Sequence, residues 1–322
     1  MVILAADLGG TQSRLMLAQC RDDGWQPLRQ VTLPSRNYAG IGELLEDFLL
    51  AGEQPGSACL AAAGPLDADR LQLTNLPWQL DAVAIRRQFG IARLQLVNDF
   101  CAQSHALPLL QADQLCTLQA GTAHPGAVRA LIGAGTGLGM ALLAESDGQA
   151  LSLPSQGGHA DFAPRDPQQL ELLRYLLPLH GRVSLELLLS GAGLARLHAF
   201  LGGRPADAPL QPDAHAISLA AEAGDDLAIR ALQLFARLYA AAAGNLALTG
   251  LALGGVYLSG GIAPKMLPFL QAPEVLAEFH RAAPMDGLLR AIPLHVVLDE
   301  HLGLHGAASL AARLERAAEG HA

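Results

Sequence analysis

The sequence predicts an α/β fold in two lobes, and three observations carry that prediction. Apolar runs with strand alternation take turns with runs of helical spacing along the chain. Two stretches, Leu4–Ala18 (LAADLGGTQSRLMLA) and Ala130–Leu143 (ALIGAGTGLGMALL), repeat one design: an apolar strand, a glycine turn bearing a Thr, and a second apolar strand. The 322 residues, 51% of them hydrophobic, suffice for one large domain or two lobes with sizeable cores.

The elements follow in order. Val2–Ala6 and Arg14–Cys20 read as paired strands about a Gly-Gly turn, and Leu28–Leu33 as a third strand. Ile41–Ala51 has helical spacing. Ala58–Ala63 and Arg70–Leu73 read as strands, Asp81–Phe89 as a short helix and Leu94–Asn98 as a buried strand. Phe100–Leu110 is then helical, with Pro108 near its end. A second block opens near Arg129 with the other glycine-centred strand pair, closed by a turn at Ser146-Asp147-Gly148. Helices are expected over Pro167–Leu177, Ser184–Leu189, Gly193–Leu201 and the 215–249 region, with Gly202–Asp213 as a polar linker. A strand at Gly255–Ser259, a helix near 273–282, a strand at Ile292–Leu298 and a helix near 305–318 complete the series.

Composition excludes several functions. Charged residues make up 16% of the chain, too few for a disordered or coiled-coil protein. The net charge is −9 and no Lys/Arg run occurs, so no nucleic-acid partner is expected. Leu238–Pro264 carries no charge, but it is Ala- and Gly-rich and holds Asn245; it reads as a buried helix (about 225–249), a turn and a strand, not a membrane span. Cys20, Cys59, Cys101 and Cys116 form no CxxC pair and fit a reducing cytosol. The start MVILAADLGG lacks the basic region of a signal peptide, which also points to the cytoplasm.

The glycines of ALIGAGTGLG do not make a dinucleotide fingerprint. They fall at 133, 135, 137 and 139, a strand period, and MALLAESDG is too short for the helix that must follow. No Walker A pattern is present. Turns at Gly9, Gly10 and Thr11 and at Gly135, Thr136 and Gly137 would instead expose backbone N–H groups to an anion, and two of them suit a polyphosphate. Asp7 adds a carboxylate suited to a water-shelled Mg²⁺. The plain alternative is that hairpin turns need glycine for positive φ. Asn98-Asp99 ends the apolar strand LQLV; on the residues alone, either side chain reads as a cap for the helix that follows. His159 after Gly157-Gly158 reads by itself as a surface or structural histidine, and Glu186 as a helix-start carboxylate favourable to the dipole.

These residues together resemble a known family. DLGGTQSR resembles the first phosphate motif, D-x-G-G-T-x-x-R, of the sugar-kinase branch of the hexokinase and actin superfamily; GAGTGLG resembles its second phosphate motif and VYLSGGIAP its adenosine motif. More closely, LTNLPW, LQLVNDF, SLPSQGGHADFAP, SLELLLSGAGL and GNLALTGLALGGVYLSGGI resemble bacterial ATP-dependent glucokinases, in order from about residue 3 to 310. The resemblance implies an actin-like ATPase (ribonuclease H-like) fold with a central cleft, a smaller lobe of 1–109 plus 301–322 and a larger lobe of 110–300. It implies ATP and Mg²⁺, glucose as acceptor, the first step of glycolysis and a homodimer. By the same resemblance Asp99 is the base for the 6-hydroxyl. Asn98, His159 and Glu186 contact sugar, Gly260 and Gly261 admit the adenosine, and Asp7 serves the metal through water. Where the family has Glu before Gly-Gly-His, this chain has Gln156, which keeps the hydrogen bonds and loses the charge; a kinase for another hexose or an amino sugar therefore stays open. In a related kinase and repressor family such a His binds zinc with three downstream cysteines, but no Cys follows Cys116. A sugar-sensing regulator would carry a helix-turn-helix ahead of the first strand, for which Val2 leaves no room, and it need not retain Asp7 and Asp99.

Overall fold

The computed structural model describes residues 1–22, 24–146 and 148–319; Asp147 of the expected turn and residues 320–322 of the expected smaller lobe lie outside the described residues. The chain divides into two compact units: Met1–Leu110 with Ala150–Pro154 and the segment from Asp299 onward, and Gln111–Gln149 with Ser155–Leu298.

The first unit carries, in chain order, β1 (Val2–Leu8), β2 (Gln12–Arg21), β3 (Gly24–Pro34), α1 (Ile41–Phe48), β4 (Ser57–Ala62), β5 (Leu66–Asp67), β6 (Arg70–Gln72), β7 (Gln79–Asp81), α2 (Ala82–Phe89), β8 (Arg93–Asn98) and α3 (Asp99–Ala106). The main sheet has the order β3-β2-β1-β4-β8, with an antiparallel meander on one side of β1 and parallel strands on the other; β5, β6 and β7 form a small separate sheet. β1 is apolar on both faces because both are covered. Leu4, Ala6 and Leu8 pack with Leu44, Leu45 and Trp78, while Ile3 and Ala5 belong to a second core with Met16, Cys59 and Ala61. Burying each leucine contributes roughly 1.5–3 kcal/mol. α1 stops at Phe48, short of the expected Ala51. Glu53 accepts the Leu50 N–H at 2.9 Å and pairs with Arg29, so the chain turns out of the helix there.

The second unit repeats this plan. Its six-stranded sheet, in the order β12-β11-β10-β13-β14-β9, uses β9 (Leu115–Gln119), β10 (Arg129–Ala134), β11 (Leu138–Ser146), β13 (Val256–Ser259), β14 (Leu294–Val297) and, at one edge, β12 (Gln149–Ser155), whose stretch Ala150–Pro154 is the part grouped with the first unit. β10, β11 and β12 stand where β1, β2 and β3 stand; β13 and β14 run parallel to β10, as β4 and β8 do to β1. The duplication seen in two hairpins thus extends to five strands. β9 and β12 are edge strands that the sequence reading did not find. The helices are α4 (Pro167–His180), α5 (Leu185–Leu188), α6 (Gly191–Leu201), α7 (Ala214–Glu222), α8 (Asp226–Gly250), α9 (Leu267–Leu270), α10 (Pro273–His280) and α11 (Asp286–Ala291). The expected 215–249 region is two helices. Gly224 sits at φ +90°, and Asp225 caps α8 by accepting the Ala228 N–H at 2.8 Å. α6 starts at Gly191, ahead of the expected Gly193, because Ser190 Oγ takes the Gly193 N–H at 3.1 Å. Among the described residues no helix is long and apolar enough to cross a membrane.

α12 (Leu302–Glu319) returns to the first unit. Its face of Leu304, Ala307, Ala308, Ala311 and Ala312 completes the core of Ile3, Ala5, Cys59 and Ala61. The fully buried Glu315 carboxylate accepts from Arg93 of β8 at 2.8 Å.

Candidate active site

In the first unit, the side chains that the sequence marks as site candidates, Asp7, Asn98 and Asp99, stand where β1 and β8 end. Asp7 stands on the β1 face that α12 covers and pairs in register with Arg14 of β2, whose Nη1 lies 3.7 Å from Asp7 Oδ2. The first turn of α12 closes on the same carboxylate: a Cβ on Gly303 would come within 2.7 Å of Oδ2. Burial raises the Asp7 pKa above the ordinary aspartate value, opposed by the charges of Arg14 and His301.

The cap at the head of α3 is Asn98, not Asp99. Asn98 Oδ1 accepts the Phe100 N–H at 3.0 Å, and Asp99 is the first residue of the helix. Asp99 is half-buried, and its carboxyl is pushed up to about 6, first by burial and then by the negative charge of Asp7; backbone N–H groups of Phe100 and of Asp99 itself oppose the rise. That value suits a base working near neutral pH. Asp7 and Asp99 together are hard oxygen donors of the kind magnesium prefers, held where a cation would relieve their repulsion. Among the described residues no three His, Cys, Asp or Glu side chains converge as a metal's own ligands.

The Gly9–Gly10–Thr11 turn is tied down from one side by Ser35. Gly9 N–H donates to Gln12 O at 3.0 Å and Ser35 N–H to Thr11 O at 3.0 Å. Ser35 Oγ donates to Gly9 O at 2.6 Å and lies 2.9 Å from Ser13 Oγ. Thr11 remains exposed.

The second unit holds the other turn. Gly135 N–H closes onto Gly137 O at 2.9 Å, and Gly191 N–H donates to Gly135 O at 2.9 Å. Ile262 N–H donates to Ala134 O at 3.2 Å, which lays the Gly260–Gly261 turn beside it. Gly260 is required here. It sits at φ +81°, and a Cβ would come within 2.4 Å of Ala134 O. The buried Tyr239 hydroxyl of α8 lies beneath both turns, 3.0 Å from Ile132 O, 3.2 Å from Ser259 O and 3.2 Å from Ala134 N.

Near these turns, Glu186 of α5 accepts the Leu138 N–H at 2.9 Å through Oε2, and its Oε1 lies 3.8 Å from His159 Nδ1. His159 is exposed at the end of the 3₁₀ turn Gly157–His159; its N–H donates to Gln156 O at 2.9 Å, and the Gln156 side chain is exposed at the head of that turn. The first unit thus gathers Asp7, Gly9, Gly10, Thr11, Asn98 and Asp99, and the second Gly135, Thr136, Gly137, Gln156, His159, Glu186, Gly260 and Gly261. Sequence reasoning missed Arg14, Ser35 and Tyr239. The first had a signal in D-x-G-G-T-x-x-R; Tyr239, inside an Ala-rich helix, had none.

Comparison with known proteins points one way. The glucokinase family model matches residues 4–314. A glucokinase of Nostoc punctiforme is 38% identical over 97% of this chain and 99% of its own. Among solved structures, a glucokinase from an Antarctic psychrotroph superposes with a TM-score of 0.87 at 32% identity, covering 97% of this chain and 99% of that one. A glucokinase of Balamuthia mandrillaris in complex with glucose superposes with a TM-score of 0.79 at 23% identity, over 96% and 93% of the two chains, a likeness of fold.

Proposed function

We propose, from the premise that the chain belongs to the glucokinase family and is an ATP-dependent hexose kinase, that it transfers the γ-phosphate of ATP to the 6-hydroxyl of glucose with Asp99 as the base. Its fold is the α/β actin-like ATPase fold of those kinases. The observation that carries the mechanism is the Asp99 carboxyl: relieved of capping by Asn98, half-buried, and pushed up to about 6.

The sugar 6-oxygen attacks the γ-phosphorus in line, Asp99 takes the hydroxyl proton, and the bond to the β-phosphate oxygen breaks to release ADP. Gly9, Gly10 and Thr11 face the γ end, Gly135, Thr136 and Gly137 the inner phosphates, and Gly260 and Gly261 the adenosine. Arg14, fixed opposite Asp7, adds a positive charge beside the first turn. Asn98, Gln156, His159 and Glu186 hydrogen-bond the sugar hydroxyls. Bound Mg²⁺ would neutralise phosphate charge, with Asp7 serving it through water. On this reading the smaller lobe (1–109 with 301–322) carries the base and first turn, and the larger lobe (110–300) the second turn and the other sugar contacts. Glucose 6-phosphate places the reaction at the first step of glycolysis in the cytoplasm, and family membership supports a homodimer.

Gln156 favours a second reading, a kinase whose best acceptor is another hexose or an amino sugar. Coupled ADP release over glucose, mannose, fructose and glucosamine separates the two. Glucose is expected to turn over with the highest kcat/KM; no glucose-dependent ADP, with good turnover of another sugar, overturns the glucose assignment.

A further inference from the structure

We propose that Glu186 positions the second phosphate turn and thereby couples sugar occupancy to nucleotide affinity. The proposal rests on the reading of Glu186 as a sugar contact and adds a second duty to it.

The argument starts from the two oxygens of one carboxylate. Oε1 faces His159 Nδ1 at 3.8 Å, on the side assigned to sugar. Oε2 accepts the Leu138 N–H at 2.9 Å, at the point where the Gly135-Thr136-Gly137 turn re-enters β11. The contact is close: a Cβ on Gly137 would lie 2.5 Å from Oε2. A hydrogen bond from a backbone N–H to a carboxylate is charge-assisted and about twice as strong as a neutral one.

The backbone around Glu186 grips the other end of the same turn. Glu186 O accepts from Ser190 Oγ at 2.9 Å, which fixes the head of α6, and the next residue, Gly191, donates its N–H to Gly135 O at 2.9 Å. The segment Ser184–Gly191 therefore holds the turn at Gly135 and at Leu138, and only the Leu138 bond depends on a side chain that also faces sugar. Without that bond, a free carboxylate would stand against a turn meant for phosphates and would repel them. A sugar hydroxyl on Oε1 fixes the carboxylate's orientation, which fixes the Leu138 amide and with it the turn. Binding of either substrate then favours the other, by an amount that linkage makes equal in both directions.

The test is equilibrium titration of ADP, with and without saturating glucose, and of glucose alone. The proteins are the wild type, Glu186→Ala, Glu186→Gln and His159→Ala, with circular dichroism melts as the check of fold. The wild type should bind ADP about fivefold more tightly with glucose. Glu186→Ala should weaken glucose binding, weaken sugar-free ADP binding about tenfold and abolish the glucose enhancement. Glu186→Gln, whose amide oxygen can still accept the Leu138 N–H, should keep most of the sugar-free ADP affinity. His159→Ala should lose glucose affinity alone. If Glu186→Ala weakens glucose but binds sugar-free ADP like the wild type, the coupling is overturned and the sugar reading stands. If it loses ADP affinity with glucose binding intact, the sugar reading fails and only the positioning of the turn survives.

Discussion

Replacing Tyr239 with phenylalanine removes one oxygen from the middle of the second unit and tests what that oxygen holds. The ring is fully buried, so Phe fills the same space. Burial raises the hydroxyl's pKa well above the ordinary phenol value, so it remains a donor at every working pH. In the wild type it accepts the Ala134 N–H at 3.2 Å and donates to Ile132 O at 3.0 Å or Ser259 O at 3.2 Å. The variant removes an acceptor from the Ala134 N–H and a donor from the two carbonyls. A buried group left unpaired costs about 1–3 kcal/mol. With these buried hydrogen bonds removed together, we expect a loss of about 2 kcal/mol, roughly thirtyfold in the folded-to-unfolded ratio. Ala134 and Ser259 end the strands that carry the Gly135–Gly137 and Gly260–Gly261 turns, so KM for ATP should rise about three- to tenfold while KM for glucose holds. Urea denaturation followed by far-UV circular dichroism reads the first effect. Tryptophan fluorescence does not, because Trp25 and Trp78 both lie in the first unit. An unchanged urea midpoint, or a rise in KM for glucose alone, refutes the reasoning.

The other predictions centre on two side chains. Asp99→Asn should lower kcat by roughly 10²–10⁴ and leave glucose binding nearly intact; a near-normal kcat would mean that Asp99 is not the base. In the wild type, kcat/KM for glucose should fall about tenfold per pH unit below about 6, because the protonated Asp99 carboxyl cannot take a proton; a profile flat down to pH 5 contradicts this. A folded pKa raised from 3.8 to about 6 favours the fold while the carboxyl is protonated, and that benefit is lost as pH rises through about 6. Asp99→Asn should therefore melt above the wild type at pH 8, with the gap closing toward pH 4; equal melting temperatures at pH 8 would count against burial as the cause. Gln156→Glu should lower KM for glucose about five- to thirtyfold with kcat nearly unchanged, since a carboxylate accepts sugar hydroxyls more strongly than an amide. A higher KM in that variant reopens the choice of sugar.

The elements most legible in the sequence were those whose two neighbours supply their pattern locally. The β1–β2 and β10–β11 hairpins announce themselves because strand, glycine turn and return strand are contiguous. β9 did not, because its partner β14 lies far along the chain and its LCTLQ carries only a weak alternation. β12 holds Pro154 and an exposed face that reads as loop. The site was legible to the same degree. Glycines and carboxylates at strand ends stood out, but the assignment of the cap to Asn98 required the Phe100 N–H to be placed. Ser35, which ties the first turn, comes from a segment with no motif of its own, and the position of the Tyr239 hydroxyl beneath two strand ends depends on how α8 rolls against the sheet.

The return of α12 to the first sheet has a consequence for synthesis on the ribosome. One face of β1 and β4, with Ile3, Ala5, Cys59 and Ala61, has as its cover Leu304, Ala307, Ala308 and Ala311, made almost a whole chain later. Residues 111–298 emerge in between and contain most of what the second unit needs. The second unit can therefore condense during translation, while the first waits with an apolar sheet face open to chaperones and to other nascent chains. Burden on the folding machinery should then track the time between completion of the first unit's sheet at β8 and release of α12. Slow codons placed after residue 298 should harm the yield of folded enzyme more than the same codons placed before residue 111.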